Sequence, residues 1–201
     1  MFAADLLKYK NHGNGVFIRW KSFFLFVLGK EEYWKQIDTH WEITYTNTGG
    51  HVESNENMLD ATRREVLEEV GCELVIISAN QTVLCDLENP ALSHFTLEDK
   101  ICPLLIYNSS ELQMSVCVYL GVINSTPVPM MEVPALILLP LNLLQGGELS
   151  LLLDEGGIIT VQNGRKIPKN SILKPFGSIA ILVNHWEEFL AIKSFSSFLE
   201  S

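Results

Sequence analysis

The stretch GGHVESNENMLDATRREVLEEVGC, residues 49–72, decides how this chain is read. It opens on paired glycines and passes through a polar loop. From about Met58 to Val70 it then has the character of one helix, and Gly71 stands where a helix ends in a left-handed residue. Residues three and four apart share a helix face. Glu65, Glu68 and Glu69 therefore point into one volume. Side by side without a counter-charge these carboxylates repel, and at least one tends to keep its proton. A divalent cation reverses that cost. Carboxylate oxygens on a rigid helix suit hard ions such as Mg²⁺ or Mn²⁺, and Mg²⁺ commonly completes its shell with waters and substrate phosphate oxygens.

The surrounding spacing supports a built site. Gly49 and Gly50 let the backbone pass close to a ligand. Glu56 reaches Arg64 across the loop, and Arg64 lies four residues before Glu68. Leu59, Val66 and Val70 form an apolar stripe that anchors the helix on a sheet.

Residues 50–72 fit the pattern GX5EX7REUXEEXGU, where U is a bulky apolar residue and only the last position, Cys72, is small. On this pattern the chain resembles the Nudix family. The resemblance implies an α/β/α sandwich around a mixed sheet. It also implies hydrolysis of a nucleoside diphosphate linked to another moiety, with water attacking phosphorus and one to three divalent ions stabilising charge. Carried onto this sequence, Glu68 and Glu69 resemble the main metal ligands. Glu65 resembles the additional ligand or water-activating carboxylate, and the carbonyl of Gly49 or Gly50 joins the shell. Gly49, Glu56, Arg64 and Gly71 are structural orienters. Family members commonly use a further acid outside the box, and Glu132, ahead of the apolar run VPALILLP, occupies the comparable place. It is preferred to Glu111, Glu98 and Asp99. Arg19 and Lys30 are candidates for phosphate contact, Tyr33, Trp34 and Trp41 for stacking on a base, and His51 for touching phosphate.

Outward from the box, VFIRW (16–20) and FFLFVLG (23–29) read as strands. Residues 30–48 read as a polar and aromatic connection. Further strands are expected at 72–78, 82–87, 101–107, 114–123 and 132–140, with a short helical piece at 141–145. Asn163–Gly164 lies between two apolar runs and signals a hairpin over 157–167. From residue 178, Ile181, His185, Phe189 and Ile192 recur at helical spacing, as do Leu182, Trp186 and Leu190, which predicts a terminal amphipathic helix. The expected organisation is a core over 1–145 and a C-terminal hairpin and helix over 146–201, packed on the same domain.

Composition narrows the class. The chain has 201 residues, 47% of them hydrophobic and 19% charged, an ordinary globular balance. A net charge of −10 argues against a nucleic-acid backbone as partner and leaves anionic small molecules reachable through metal ions. Cys72, Cys85, Cys102 and Cys117 show neither CxxC spacing nor a histidine cluster, so buried reduced thiols are expected. No apolar run is long enough to span a bilayer, and a cytoplasmic protein with no membrane contact is the expectation. The terminal helix's apolar face suits a homodimer or closure of the core. The leading function is a metal-dependent pyrophosphohydrolase acting on a nucleotide-type small molecule. The alternative is a Nudix-fold sensor or assembly module without turnover, with an isomerase third. The departures from the family pattern, YTNTGG without a proline before the glycines, the long 30–48 connection and the tail, bear on the substrate.

Overall fold

The computed structural model describes residues 1–200. In chain order the strands are β1 (Asn11–Trp20), β2 (Phe23–Leu28), β3 (Lys35–Ile37) and β4 (His40–Thr46). The helix α1 (Met58–Val70) follows, then β5 (Val75–Ile77), β6 (Thr82–Asp86), β7 (Asn89–Phe95), β8 (Leu105–Ser109), β9 (Met114–Val122) and β10 (Ala135–Leu139). The chain continues through β11 (Gly147–Glu148), α2 (Leu149–Asp154), β12 (Ile158–Val161) and β13 (Ser171–Pro175) to α3 (Ser178–Asn184), α4 (Trp186–Leu190) and α5 (Lys193–Glu200).

The strands form one mixed sheet whose main path runs β11-β13-β4-β2-β1-β9-β8-β6-β7. The centre is the parallel pair β1/β9, in register from Asn11↔Met114 to Arg19↔Val122. β2 turns back antiparallel on β1 and also receives β10, Leu136 facing Val27 and Leu139 facing Phe24.

Both faces of the central strands are buried, and the period-2 alternation of a strand sorts their side chains between two cores. Phe17, Phe24, Phe26, Val116, Val118 and Ile137 enter one core, together with Leu152, Ile179, Leu182, Phe189 and Phe195 from α2 to α5. Val16, Ile18, Leu25, Cys117, Tyr119 and Leu136 enter the other, together with Val66 and Val70 from α1. The sheet thus lies between α1 and the C-terminal helices, the expected α/β/α layering. All four cysteines are buried and unpaired.

Three local expectations are corrected. The connection over 30–48 contains two strands: β3, short and exposed, pairs with β4, while β4 buries Ile43 and Tyr45 and turns Thr44 and Thr46 the other way. The hairpin over 157–167 does not form. Gly164 does turn with φ 84°, but β12 pairs antiparallel with β10 and the chain runs on to β13, which pairs in parallel with β4 from Ser171↔Trp41 to Pro175↔Tyr45. The terminal helix is three short helices, interrupted at His185 (φ −122°, ψ 35°) and Ala191. Breaking it lets Phe189, Phe195 and Phe198 all reach the core, with edge-on ring contacts between Phe189 and Phe195 and between Phe24 and Phe198. No helix among the described residues is long and apolar enough to cross a membrane.

Candidate active site

Helix α1 is set by its ends. The Asn57 side chain accepts the N–H groups of Leu59 and Asp60, both at 3.0 Å, and so caps the first turn. At the other end Gly71 adopts φ 69°, and its N–H donates to Leu67. Ala61, Thr62, Val66 and Val70 are buried on the sheet side, which leaves Glu65, Glu68 and Glu69 at the opening of a cleft.

The paired glycines are strapped to β1. The Val16 N–H donates to Thr48 O, the Asn14 N–H to Gly50 O and the Val52 N–H to His12 O. A β-carbon on Gly49 would stand 2.7 Å from the Gly15 Cα and overlap the Asn14 carbonyl. One on Gly50 would stand 2.6 Å from the Glu65 Cδ. The glycines therefore let the loop lie against β1 on one side and the Glu65 carboxylate on the other.

Arg64 binds the site together. Its Nε and Nη2 fork onto the two Glu56 oxygens at 3.2 and 2.7 Å, and Nη2 also donates to the His51 carbonyl at 3.1 Å. Its Nη1 lies 2.9 Å from Glu65 Oε1 and 3.1 Å from Glu68 Oε2, a cation between two carboxylates. Hydrogen bonds from Arg64 and the Glu53 N–H hold Glu56 below the usual carboxylate range.

Glu69 differs. Its Oε2 accepts the Gly49 N–H at 3.2 Å, and no arginine reaches it. Burial, reinforced by the charges of Glu65 and Glu68, pushes its carboxyl up to about 8 against the opposing Gly49 hydrogen bond.

These groups open onto a cavity of about 1020 Å³. Glu65, Glu68, Glu69 and Gly49 form its acidic end. Glu132 and Lys30 form an ion pair on its wall, and that pairing holds Glu132 below the ordinary range. Tyr33, Trp34, Leu28, Met131 and Phe176 supply most of an apolar surface, and Thr44 and Thr46 contribute hydroxyls from β4. Five glutamates face two lysines across the lining, so an anionic ligand would meet net negative charge.

Glu65, Glu68, Glu69, Glu132, Gly49, Lys30, Tyr33 and Trp34 are thus brought to one cavity. Glu56 and Arg64 brace it from outside, and Gly71 ends the helix. The other candidates lie elsewhere. The Arg19 guanidinium stacks over Phe198, 5.5 Å from the ring centroid. Trp41 packs on the core in the middle of the β3/β4/β13 pairing. His51 is exposed, offering its carbonyl to Arg64. The Gly50 carbonyl accepts both the N–H and the Nδ2 of Asn14, which engages both its lone pairs. Phe176 and Met131 also line the cavity without a local signal in the sequence. Phe176 follows β13, whose pairing with β4 has no local signature, while Met131 precedes Glu132 with nothing to mark it.

The residues fit a divalent ion in chemistry. The donors are hard carboxylate oxygens, and the glycine cradle keeps side chains from filling the space. Among the described residues no three His, Cys, Asp or Glu side chains are drawn together as a finished metal cluster. The Arg64 cation between Glu65 and Glu68 accounts for their compensation in this arrangement.

No protein-family model matches the sequence, and no curated protein matches it. The solved structures to which it is similar are Nudix hydrolases. One from Clostridium perfringens shares 19% identity at a TM-score of 0.48, over 91% of this chain and 98% of that one. An Ap4A hydrolase from C. elegans shares 16% at 0.43, over 91% and 98%. One from Nitrosomonas europaea shares 15% at 0.42, over 67% of this chain, which spans 60% of its length. These likenesses concern fold, and the functional reading rests on the site residues.

Proposed function

We propose that this chain is a Nudix-type hydrolase that uses Mg²⁺ or Mn²⁺ to cleave the diphosphate bridge of a nucleoside diphosphate linked to another moiety. One observation supports the reading: the fully spaced box REVLEE folds so that three carboxylates line the acidic end of a large cavity, against a glycine cradle that a β-carbon would fill. Glu65, Glu68 and Glu69 are the residues that would hold the ion. The bound ion would screen the diphosphate charge and lower the pKa of attacking water.

The chain's own residues do the rest. Arg64 and Glu56 fix the helix face relative to the loop. Glu69, half-buried and with its carboxyl raised toward neutrality, can hold or release a proton at the acidic end. Glu132, kept ionised by Lys30, is the weaker base in that pairing, and Lys30 is the cation an incoming phosphate would meet. Carboxylates alone would repel the substrate, so turnover in this reading requires the metal.

The test is phosphate release from a panel of nucleoside diphosphate derivatives, with a coupled phosphatase, with and without Mg²⁺. Metal-dependent turnover that collapses in Glu69→Gln supports the hydrolase. Tight metal-dependent binding of one compound without turnover of any replaces it with a sensor.

A further inference from the structure

The outer strands of the sheet are not alike. β11, at one end of the main path, is two residues long, and β3, paired with β4 alone, is three residues long and begins on an exposed lysine. Short length and charge both keep an edge from pairing with another chain. β12 pairs with β10 alone and has no charge of its own: Ile158, Ile159, Thr160 and Val161 are all β-branched. Register decides which of its backbone groups face out. The Gln162 N–H donates to Pro134 O at 2.9 Å, so Thr160 and Ile158, at steps of two from it, turn their peptide groups toward Leu136 and Leu138 of β10. Ile159 and Val161 therefore point N–H and C=O away from the sheet, and among the described residues no hydrogen bond takes them. The surroundings are apolar as well. Ile158 is 42% exposed, and Leu151 and Leu153, on α2 just ahead of the strand, are 53% and 37% exposed. The terminal helices offer no such surface, because Phe189, Phe195 and Phe198 are spent in the core.

The charges around β12 say what fits it. Asp154 and Glu155 precede the strand, and Arg165 and Lys166 follow it. Counted from Thr160, Asp154 and Lys166 stand equally far on either side, and so do Glu155 and Arg165. Asp154, Glu155 and Lys166 are exposed and make no ion pair among the described residues. A copy of the same strand laid antiparallel on this edge brings its basic end to the acidic end of the first, and the reverse, by symmetry.

We propose that β12 is the interface of a homodimer, in which a second copy of the chain pairs with it antiparallel about a twofold axis at Thr160. Ile159 exchanges both backbone hydrogen bonds with the partner's Val161, and Val161 does so with the partner's Ile159, so every outward donor and acceptor of the strand is used. Thr160 faces the partner's Thr160 as a non-hydrogen-bonded pair on the axis. Asp154 and Glu155 lie toward the partner's Lys166 and the partner's Arg165. The interface is short, so the dimer is a weak one that separates on dilution. This inference is independent of what the cavity binds.

The test is sedimentation velocity of the full chain at low salt, over a series from about 1 to 500 µM. Wild type should pass from monomer to dimer across the series. Ile159→Pro removes an outward N–H, spares the ladder to β10 and should stay monomeric. Asp154→Lys, on the surface and without an ion pair to break, should weaken association at least about tenfold. Adding Lys166→Asp to it should restore the dimer, because the charges are then exchanged at both ends. Register is read by disulfide formation under mild oxidation. Thr160→Cys should give a covalent dimer and Asn163→Cys should not, since only position 160 meets itself on the axis and the four native cysteines are buried. A wild type that stays monomeric throughout leaves this edge to a different chain and overturns the proposal. A dimer that persists unchanged in Ile159→Pro and Asp154→Lys forms elsewhere and overturns it equally, as does equal crosslinking of the two cysteine variants.

Discussion

Gly50 lies so close to Glu65 that a β-carbon on it would stand 2.6 Å from the carboxylate's Cδ, so the glycine and the acid define each other's position. The neighbouring glycine is fixed by backbone instead: a β-carbon on Gly49 would meet the Gly15 Cα at 2.7 Å. The two positions should respond differently to the same change. Gly50→Ala can be absorbed by swinging the Glu65 side chain. The fold should melt within about 2 °C of wild type, while metal-dependent activity falls at least about tenfold. Gly49→Ala has no side chain to displace and should cost on the order of 2 kcal/mol or more of stability. Thermal melts and turnover on the same preparations separate the two effects.

Arg64 offers a fork to Glu56 that lysine cannot reproduce. Arg64→Lys keeps the charge and loses the paired geometry. Activity should drop while the circular dichroism spectrum is retained, and the melting temperature should fall by about 2–4 °C. Wild-type activity in Arg64→Lys would show that charge alone suffices.

The raised carboxyl of Glu69 makes the metal-free protein pH-sensitive. In the unfolded chain it titrates near 4.5, and in the fold near 8. Between these values the folded state holds a proton that the unfolded state has released. Stability from this group is therefore complete below pH 4.5 and lost as pH rises through 8, on the order of 3–5 kcal/mol at most. Urea melts in EDTA from pH 5 to 8.5 should show this decline. Glu69→Gln, neutral throughout, should flatten the part of the slope that Glu69 contributes. Added Mg²⁺ should raise wild-type stability most at the alkaline end, because it stabilises the ionised form.

Asn47 and Ser178 tie the glycine loop to α3 through a buried hydrogen bond of 2.9 Å. Ser178→Ala leaves the Asn47 Nδ2 without this partner. The expected cost is about 1–3 kcal/mol, seen as a lower urea midpoint with an unchanged m value.

The sequence revealed most where signals were local. Helix α1 lies where its apolar stripe and terminal glycine place it, and Glu65, Glu68 and Glu69 share a face because helix geometry leaves them no alternative. What it concealed was non-local. The pairing of β4 with β13 joins Trp41 to Ser171, and no pattern within either strand announces a parallel partner so far along the chain. That pairing brings Phe176 to the cavity. It also explains why the expected hairpin does not form: Asn163–Gly164 makes its turn, but Ile158–Val161 pairs with β10. In β4 the alternation of Ile43 and Tyr45 with Thr44 and Thr46 was present in HWEITYT and was obscured by its polar flanks. Trp41 and Arg19 carry chemistry suited to a nucleotide, and strand register sends them elsewhere.

The account stands or falls on whether the glutamate face of α1 holds a divalent ion on which a diphosphate can sit. Titrating the full chain into Mn²⁺ and following the free-ion signal by electron paramagnetic resonance tests this directly. Wild type should deplete the free Mn²⁺ signal, pyrophosphate should deepen the depletion, and the double variant Glu68→Gln, Glu69→Gln should lose both effects. Equal Mn²⁺ depletion by the double variant would place the ion elsewhere and contradict the account.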